Sequence, residues 1–163
     1  MTLHPPALLA DRHNIKDFRS GVPSLDDWLK RRARANQEGG GSRTYVVCDD
    51  DRVIAYYALA SGNIASREAG GRFRRNMPDP IPVVTLARLA VDRSFQKRGL
   101  GLDLVLDANR RVIAAADIIG IRGIIVHAID EDAKAFYLKC GFLPSPTNDM
   151  TLMISLADLK ANL

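Results

Sequence analysis

Leu25, Trp28, Leu29 and Ala33 recur at spacings of three and four, a rhythm that predicts a helix capped by Ser24 and ending within residues 38–42. The pattern then turns β-like over 44–48 and 53–60, and the three aspartates Asp49, Asp50 and Asp51 between these runs predict a hairpin. Residues 61–82, rich in Gly, Arg and Pro, carry neither rhythm, and so long a connection is more often functional than idle. An apolar run at 83–91 predicts a strand. After it come Gln96-Lys97-Arg98-Gly99-Leu100-Gly101 and then Leu102, Leu104, Val105, Ala108, Val112 and Ala115 at helical spacing, to about residue 117. The next strand, 123–129, is predicted to lie parallel to the first in a right-handed βαβ unit. A short helix over 131–140 closes at Gly141, a good left-handed cap, with Phe142 placed to fold back on its last turn. A strand at 150–156 completes the predicted elements.

The turn between strand and long helix carries the first chemical signal. Glycine lets a backbone turn tightly and approach a ligand with no Cβ in the way. The helix that opens there leaves its first N–H groups unpaired, and Lys97 and Arg98 add side-chain charge, so the site suits a diphosphate better than a lone carboxylate. An ordinary βα connection is the alternative.

Composition limits the class of molecule. With 163 residues, 47% of them hydrophobic, the chain is long enough for one domain with a real core, spanning 1–163, and short for two. No apolar run approaches the roughly 18 residues of a membrane span. The N-terminal stretch, broken by His4, Pro5, Pro6 and Asp11, lacks the basic-then-apolar order of a secretory signal, which predicts a cytoplasmic protein with no membrane partner. Cys48 and Cys140 form no disulfide framework, and with three scattered histidines they give no metal spacing, so no metal is expected. The net charge of +4 is unevenly spread. Basic residues gather at Lys30, Arg31, Arg32 and Arg34, at Arg67, Arg72, Arg74 and Arg75, and at Arg88, Arg93, Lys97 and Arg98. On one face they would suit a polyanion larger than a nucleotide; the first group also suits the C-terminal end of a helix dipole.

In order, the hairpin, apolar strand, glycine turn with long helix, parallel strand and short helix ending Phe136-Tyr137-Leu138-Lys139-Cys140-Gly141-Phe142 resemble the GNAT family of acyl-CoA-dependent N-acetyltransferases over nearly the whole chain. The resemblance implies an α/β (α+β) single-domain fold, a mixed and mostly antiparallel sheet with a central βαβ coenzyme A site flanked by helices. It implies acetyl-CoA as co-substrate, with Gln96, Lys97, Arg98, Gly99, Leu100 and Gly101 around its pyrophosphate and Leu89, Ala90 and Val91 along its pantetheine arm. The second anchor of the family matches Ala133, Tyr137, Gly141 and Phe142; Asp130 stands where the family often has Asn, which suits a helix cap and implies a coenzyme role as well. Tyr137 is implied as the catalytic acid, since a phenol can donate to a sulfur that gains charge as its bond breaks.

Many family members place a carboxylate on the strand before the glycine turn, and residues 81–91 hold no Asp, Glu or His. A lysine amine, with pKa about 10.4, needs such a base, whereas an α-amino group at about 7.7–8.0 is appreciably neutral already, and an ester beside it lowers that further. Asp92 and His127 are the remaining candidate bases, with a structural role favoured for His127. A narrower resemblance agrees with an aminoacyl ester as acceptor. Ser42-Arg43-Thr44-Tyr45-Val46-Val47, Ala55-Tyr56-Tyr57-Ala58-Leu59-Ala60, Leu86-Ala87-Arg88-Leu89-Ala90-Val91 and His127-Ala128-Ile129-Asp130 are similar to the GNAT toxins of bacterial type II toxin-antitoxin pairs. Such toxins acetylate aminoacyl-tRNA and block translation. That likeness implies Arg72, Arg74, Arg75 and Arg88 as tRNA contacts, a ribbon-helix-helix antitoxin as partner, and a homodimer. Two other readings stand beside it: a GNAT acetylating a protein N-terminus or small amine, and a non-catalytic acyl-CoA-binding module.

Overall fold

A computed structural model of the chain describes residues 3–162. In chain order the elements are β1 (Ala7–Leu8), α1 (Pro23–Arg31), α2 (Ala33–Glu38), β2 (Arg43–Asp49), β3 (Arg52–Ile64), α3 (Gly71–Arg74), β4 (Ile81–Val91), α4 (Leu100–Ala115), β5 (Gly123–His127), α5 (Glu131–Lys139), β6 (Leu143–Pro144), β7 (Thr151–Ser155) and α6 (Leu156–Ala161). Single 3-10 turns sit at Ser66–Glu68 and Arg93–Phe95. The strands form a mixed seven-stranded sheet in the order β1-β2-β3-β4-β5-β7-β6. Two compact units share the chain, one made of residues 1–60 and 87–107, the other of 61–86 and 108–163.

In the first unit, β2 and β3 form the predicted hairpin, with register from Arg43↔Leu59 to Asp49↔Arg52 and a bulge at Val47/Cys48. Asp50 turns the corner at φ 54°, a left-handed position that aspartate tolerates better than most residues. Helix α1 departs from expectation at its start. Its cap is Val22 rather than Ser24, because Pro23 takes the first helical position, where its fixed φ is pre-organised and its missing N–H costs nothing. The expected single helix is also broken at Arg32 (φ −123°). The separate α2 places Arg34 to donate to the carbonyls of Ala10 and His13, and Gln37 to bridge the carbonyl of Leu9 and the N–H of Thr44. Leu9, Ile15, Phe18, Leu25, Leu29, Val46, Val53, Tyr56 and Ala90 form the core of this unit.

In the second unit β4 and β5 are parallel, as the βαβ pattern predicts, through Val84↔Ile124 and Thr85↔Ile125; β5 and β6 both pair antiparallel with β7. Gly123 is there for space, since a Cβ on it would lie 2.0 Å from the Ile154 carbonyl oxygen on β7. The 61–82 segment is more ordered than its composition suggests: it holds the end of β3, a 3-10 turn, α3 and the first residues of β4. Phe73 on α3 packs with Ile64, Ala69, Ile81, Val83, Ile125 and Met153 into the core of this unit. Sequence periodicity also passed over β1, β6 and α6.

Candidate active site

The turn between β4 and α4 begins at Asp92, which is 3% exposed and whose carboxylate accepts from the backbone N–H of Arg19 (2.8 Å) and of Ser94 (3.0 Å), from the Ser94 hydroxyl, and from Arg52 (3.3 Å). Burial pushes this carboxyl up, but the hydrogen bonds from Ser94 and Arg19 and the Arg52 charge outweigh it and hold the group below the usual carboxylate range. The carboxylate is engaged in capping the 3-10 turn, and its depressed pKa makes it a weak acceptor for the proton of a substrate amine.

Gln96 follows, and its side-chain amide donates to the carbonyls of Ser20 (2.7 Å) and Val91 (2.9 Å). Its amide thus pins the turn to the end of β4 and to the segment before α1. The left-handed residues are Lys97 (φ 63°) and Gly99 (φ 80°), while Gly101 lies inside α4 as its second residue. Left-handed residues in a turn can direct neighbouring peptide N–H groups to one side as an anion-binding concavity, and here two of them stand directly before a helix N-terminus. The Arg98 guanidinium lies 5.0 Å over the Phe95 ring, whereas the exposed Lys97 side chain makes no ion pair or hydrogen bond among the described residues. These residues fit a diphosphate. Leu89 and Val91 are half-buried and Ala90 is buried, at the end of β4 that leads into this turn.

Tyr137 lies on α5, whose N-cap is Asp130. The Asp130 carboxylate accepts from the Ala133 N–H at 2.8 Å, so both are engaged in the cap anticipated for Asp130. At the other end the predicted closure forms: Gly141 (φ 98°) donates its N–H to Leu138 and Phe142 donates to Tyr137, each at 3.1 Å. This cap folds Phe142 back so that Tyr137 is held edge-on between Phe142 (centroids 5.5 Å) and Phe136 (5.2 Å). Burial, with a smaller contribution from Cys140, pushes the Tyr137 phenol well above its ordinary value of 10. It stays protonated at neutral pH, the state a proton donor needs.

His127 is exposed at the end of β5, with Nδ1 2.9 Å from the Thr151 hydroxyl on β7. The basic residues divide between the units. Arg88 is half-buried in the first, its guanidinium 5.2 Å over the Trp28 ring and donating to the Ala87 carbonyl. In the second, Arg72 pairs with Asp158 at 3.0 Å, while Arg74 and Arg75 are exposed without a side-chain partner among the described residues. Lys97 as the second left-handed residue escaped sequence reasoning, since lysine carries no preference for that conformation; so did Ser20 and Arg19, which hold the turn from more than 70 residues away.

Residues 40–144 match the model of the acetyltransferase (GNAT) domain. Over 156 residues, 96% of this chain and 94% of that protein, the sequence is 52% identical to a tRNA-acetylating toxin of Mycobacterium tuberculosis. Among solved structures, the AtaT toxin complexed with acetyl-methionyl-tRNAfMet superposes with a TM-score of 0.90 at 28% identity, covering 98% of each chain. A tyrosine-to-phenylalanine mutant of AtaT bound to the C-terminus of its antitoxin AtaR and acetyl-CoA gives a TM-score of 0.83 at 28% identity, over 99% of this chain and 97% of that one. The chain belongs to the GNAT acetyltransferase family.

Proposed function

We propose that the whole chain acts as one GNAT domain, the toxin of a type II toxin-antitoxin pair, which transfers the acetyl group of acetyl-CoA to the α-amino group of aminoacyl-tRNA and so inhibits translation. The observation that carries the choice of acceptor is the strand Ile81–Val91, which holds no Asp, Glu or His, followed by a carboxylate, Asp92, spent on a cap. An acceptor that arrives largely neutral needs no base, and the α-amino group of an aminoacyl ester is such an acceptor. The likeness to a tRNA-acetylating toxin supports the same choice.

Acetyl-CoA supplies the acetyl group as a thioester. The peptide N–H groups from Lys97 to Gly101 and the Lys97 ammonium hold its diphosphate, with Arg98 close by, and the backbone of Leu89, Ala90 and Val91 aligns its amide arm. As the amine nitrogen bonds to the acetyl carbon and the C–S bond breaks, Tyr137 gives its phenolic proton to the leaving sulfur, the amine gives its proton to water, and water returns a proton to the Tyr137 phenolate. Asp130 and Ala133 act on the coenzyme through the helix start they build. Arg74 and Arg75 take RNA phosphates directly; Arg72 and Arg88 do so from their present partners, Asp158 and Trp28. A ribbon-helix-helix antitoxin and a second copy of the chain are the protein partners, and the cytoplasm is the compartment; no helix among the described residues is long and apolar enough to cross a membrane.

The test is incubation with radiolabelled acetyl-CoA and, in separate reactions, charged tRNA, deacylated tRNA, peptides and polyamines. Label is expected on charged tRNA, released with the amino acid when the ester is hydrolysed. Label on peptides or polyamines with none on charged tRNA overturns the assignment.

A further inference from the structure

The diphosphate turn is held from a distant part of the chain. Residues 19–22, which lead into α1, meet residues 92–96 through four contacts: Asp92 accepts from the Arg19 N–H, Arg93 donates its N–H to the Arg19 carbonyl at 2.7 Å, Gln96 donates to the Ser20 carbonyl at 2.7 Å, and Gly21 (φ 96°) leaves so little room that a Cβ on it would lie 3.3 Å from Nε of Arg93. On the side of α1, the same segment is held by the Asp26 carboxylate. Asp26, in the first turn of α1, accepts from the Ser20 hydroxyl at 2.6 Å and the Ser20 N–H at 3.0 Å through the same oxygen. The Ser20 hydroxyl oxygen also accepts from the N–H of Val22, the cap of α1.

We infer that Asp26 and Ser20 are positioning residues for the coenzyme: they set the height of the Ser20 carbonyl, which through Gln96 sets where the Lys97–Gly99 concavity stands relative to the end of β4. Neither side chain touches the ligand. The physical basis is that a diphosphate held by several N–H groups at once is sensitive to small displacements of the loop, because each donor must stay within about 3 Å of its oxygen. Gln96 reaches both ends of this arrangement, Ser20 on one side and Val91 on the other, so it transmits the position of one to the other. The consequence is specific: loosening Asp26 weakens the hold on the diphosphate and leaves the hold on the pantetheine arm, which lies along β4, as it was. This inference rests on the reading of the turn as a diphosphate site.

The experiment compares equilibrium binding of coenzyme A, by calorimetry, with that of pantetheine, which lacks the diphosphate, by ligand-observed NMR. Asp26→Ala removes both acceptor contacts and is expected to raise the coenzyme A Kd about tenfold, equivalent to about 1.4 kcal/mol, with the pantetheine Kd unchanged. Asp26→Asn keeps a carbonyl oxygen in the same place and is expected to bind coenzyme A nearly as the wild type does. Ser20→Ala, which removes the hydroxyl contact and keeps the backbone one, falls between, and carries the same comparison should Asp26→Ala fail to fold. An unchanged coenzyme A Kd in the alanine variants, an equal loss for both ligands, or an Asp26→Asn as weak as Asp26→Ala overturns the inference. No acceptor is present in these measurements, so failure of the wild type to acetylate charged tRNA overturns the proposed function and leaves this one standing. A wild type that binds coenzyme A no tighter than pantetheine overturns the diphosphate site itself, and this inference with it.

Discussion

Lys97→Gly is predicted to stabilise the ligand-free protein and weaken its hold on coenzyme A, two effects of opposite sign from one side chain. Lys97 sits at φ 63°, and a non-glycine residue pays about 1–2 kcal/mol for that left-handed conformation. Glycine removes most of this penalty but gives the unfolded chain extra freedom worth about 0.4–1 kcal/mol. The net gain is about 0.5–1 kcal/mol, or a rise in Tm of roughly 1–4 °C for a chain of this size. On the binding side, the variant loses the ammonium proposed to hold the diphosphate. Charge-assisted hydrogen bonds contribute about 1.5–3 kcal/mol, and an exposed residue such as Lys97 belongs at or below the lower end, so the Kd should rise roughly tenfold. The loss should shrink as salt is added. Gly99→Ala is the internal control. Its added Cβ meets nothing within 4 Å, so only the backbone conformation at φ 80° is charged against it, and Tm should fall by about as much as it rises in Lys97→Gly. Thermal melts without ligand and calorimetric titration with coenzyme A measure both. A Lys97→Gly protein that melts lower than the wild type, or one that binds coenzyme A equally well, refutes the reasoning.

Tyr137→Phe removes a hydroxyl without emptying its place between Phe136 and Phe142, so Tm should stay within about 2 °C while turnover falls by about 10²–10⁴-fold; full activity would remove Tyr137 from its role as acid. Because burial raises that phenol above 10, turnover in the wild type should show no descending limb between pH 7 and 9.5 from loss of its proton, and a limb near 8 would contradict the assignment. The same shift makes the folded state bind the proton more tightly than the unfolded one, so the stability it reflects is present below pH 10 and declines above it. Asp92→Asn should cost about 1–3 kcal/mol at pH 7 in urea unfolding. Since the folded value is depressed, the gap to wild type should hold above the unfolded carboxylate pKa of about 3.9 and close as pH falls below it; a gap that persists at pH 2 would mean the charge is not its source. Gly123→Ala drives a Cβ into the Ile154 carbonyl oxygen and should cost about 3 kcal/mol or more, read as loss of soluble protein or a large drop in melting temperature; a variant that melts like the wild type would refute the clash.

Features written in consecutive residues were legible in the sequence. The closure of α5 is encoded by Tyr137, Gly141 and Phe142 within six positions, and it forms with both expected hydrogen bonds. The hairpin and the parallel pairing of β4 with β5 followed from alternation and from the order of elements. Two-residue strands such as Ala7–Leu8 and Leu143–Pro144 contain no period to read; they exist because β2 and β7 offer edges to pair with. At the turn, the family resemblance points to Gln96 and Gly99, but the partner of Gln96 is the Ser20 carbonyl, 76 residues away, a contact that no local pattern announces. Ser24 suits a cap by residue type, but Pro23, one residue earlier, opens the helix and makes Val22 the cap.

The acceptor side combines a legible absence with one that needed coordinates. That β4 carries no Asp, Glu or His is plain from residues 81–91; that Asp92 is engaged by four donors shows only in the fold. Under the proposed mechanism, which uses no enzyme base, the neutral fraction of the acceptor amine sets the rate at low pH, and this has a kinetic signature. The ascending limb of the kcat/KM profile should fall at the acceptor's own amine pKa: below the free α-amino value of about 7.7–8.0 for an aminoacyl ester, and near 10.4 for a lysine-type amine forced as a poor substrate. An enzyme carboxylate or imidazole acting as base would instead fix that limb at one pH for both acceptors. Profiles measured with the two amines on the same preparation decide between these cases. A limb that stays at one pH whatever the acceptor would point to an enzyme base, with His127 the first residue to replace.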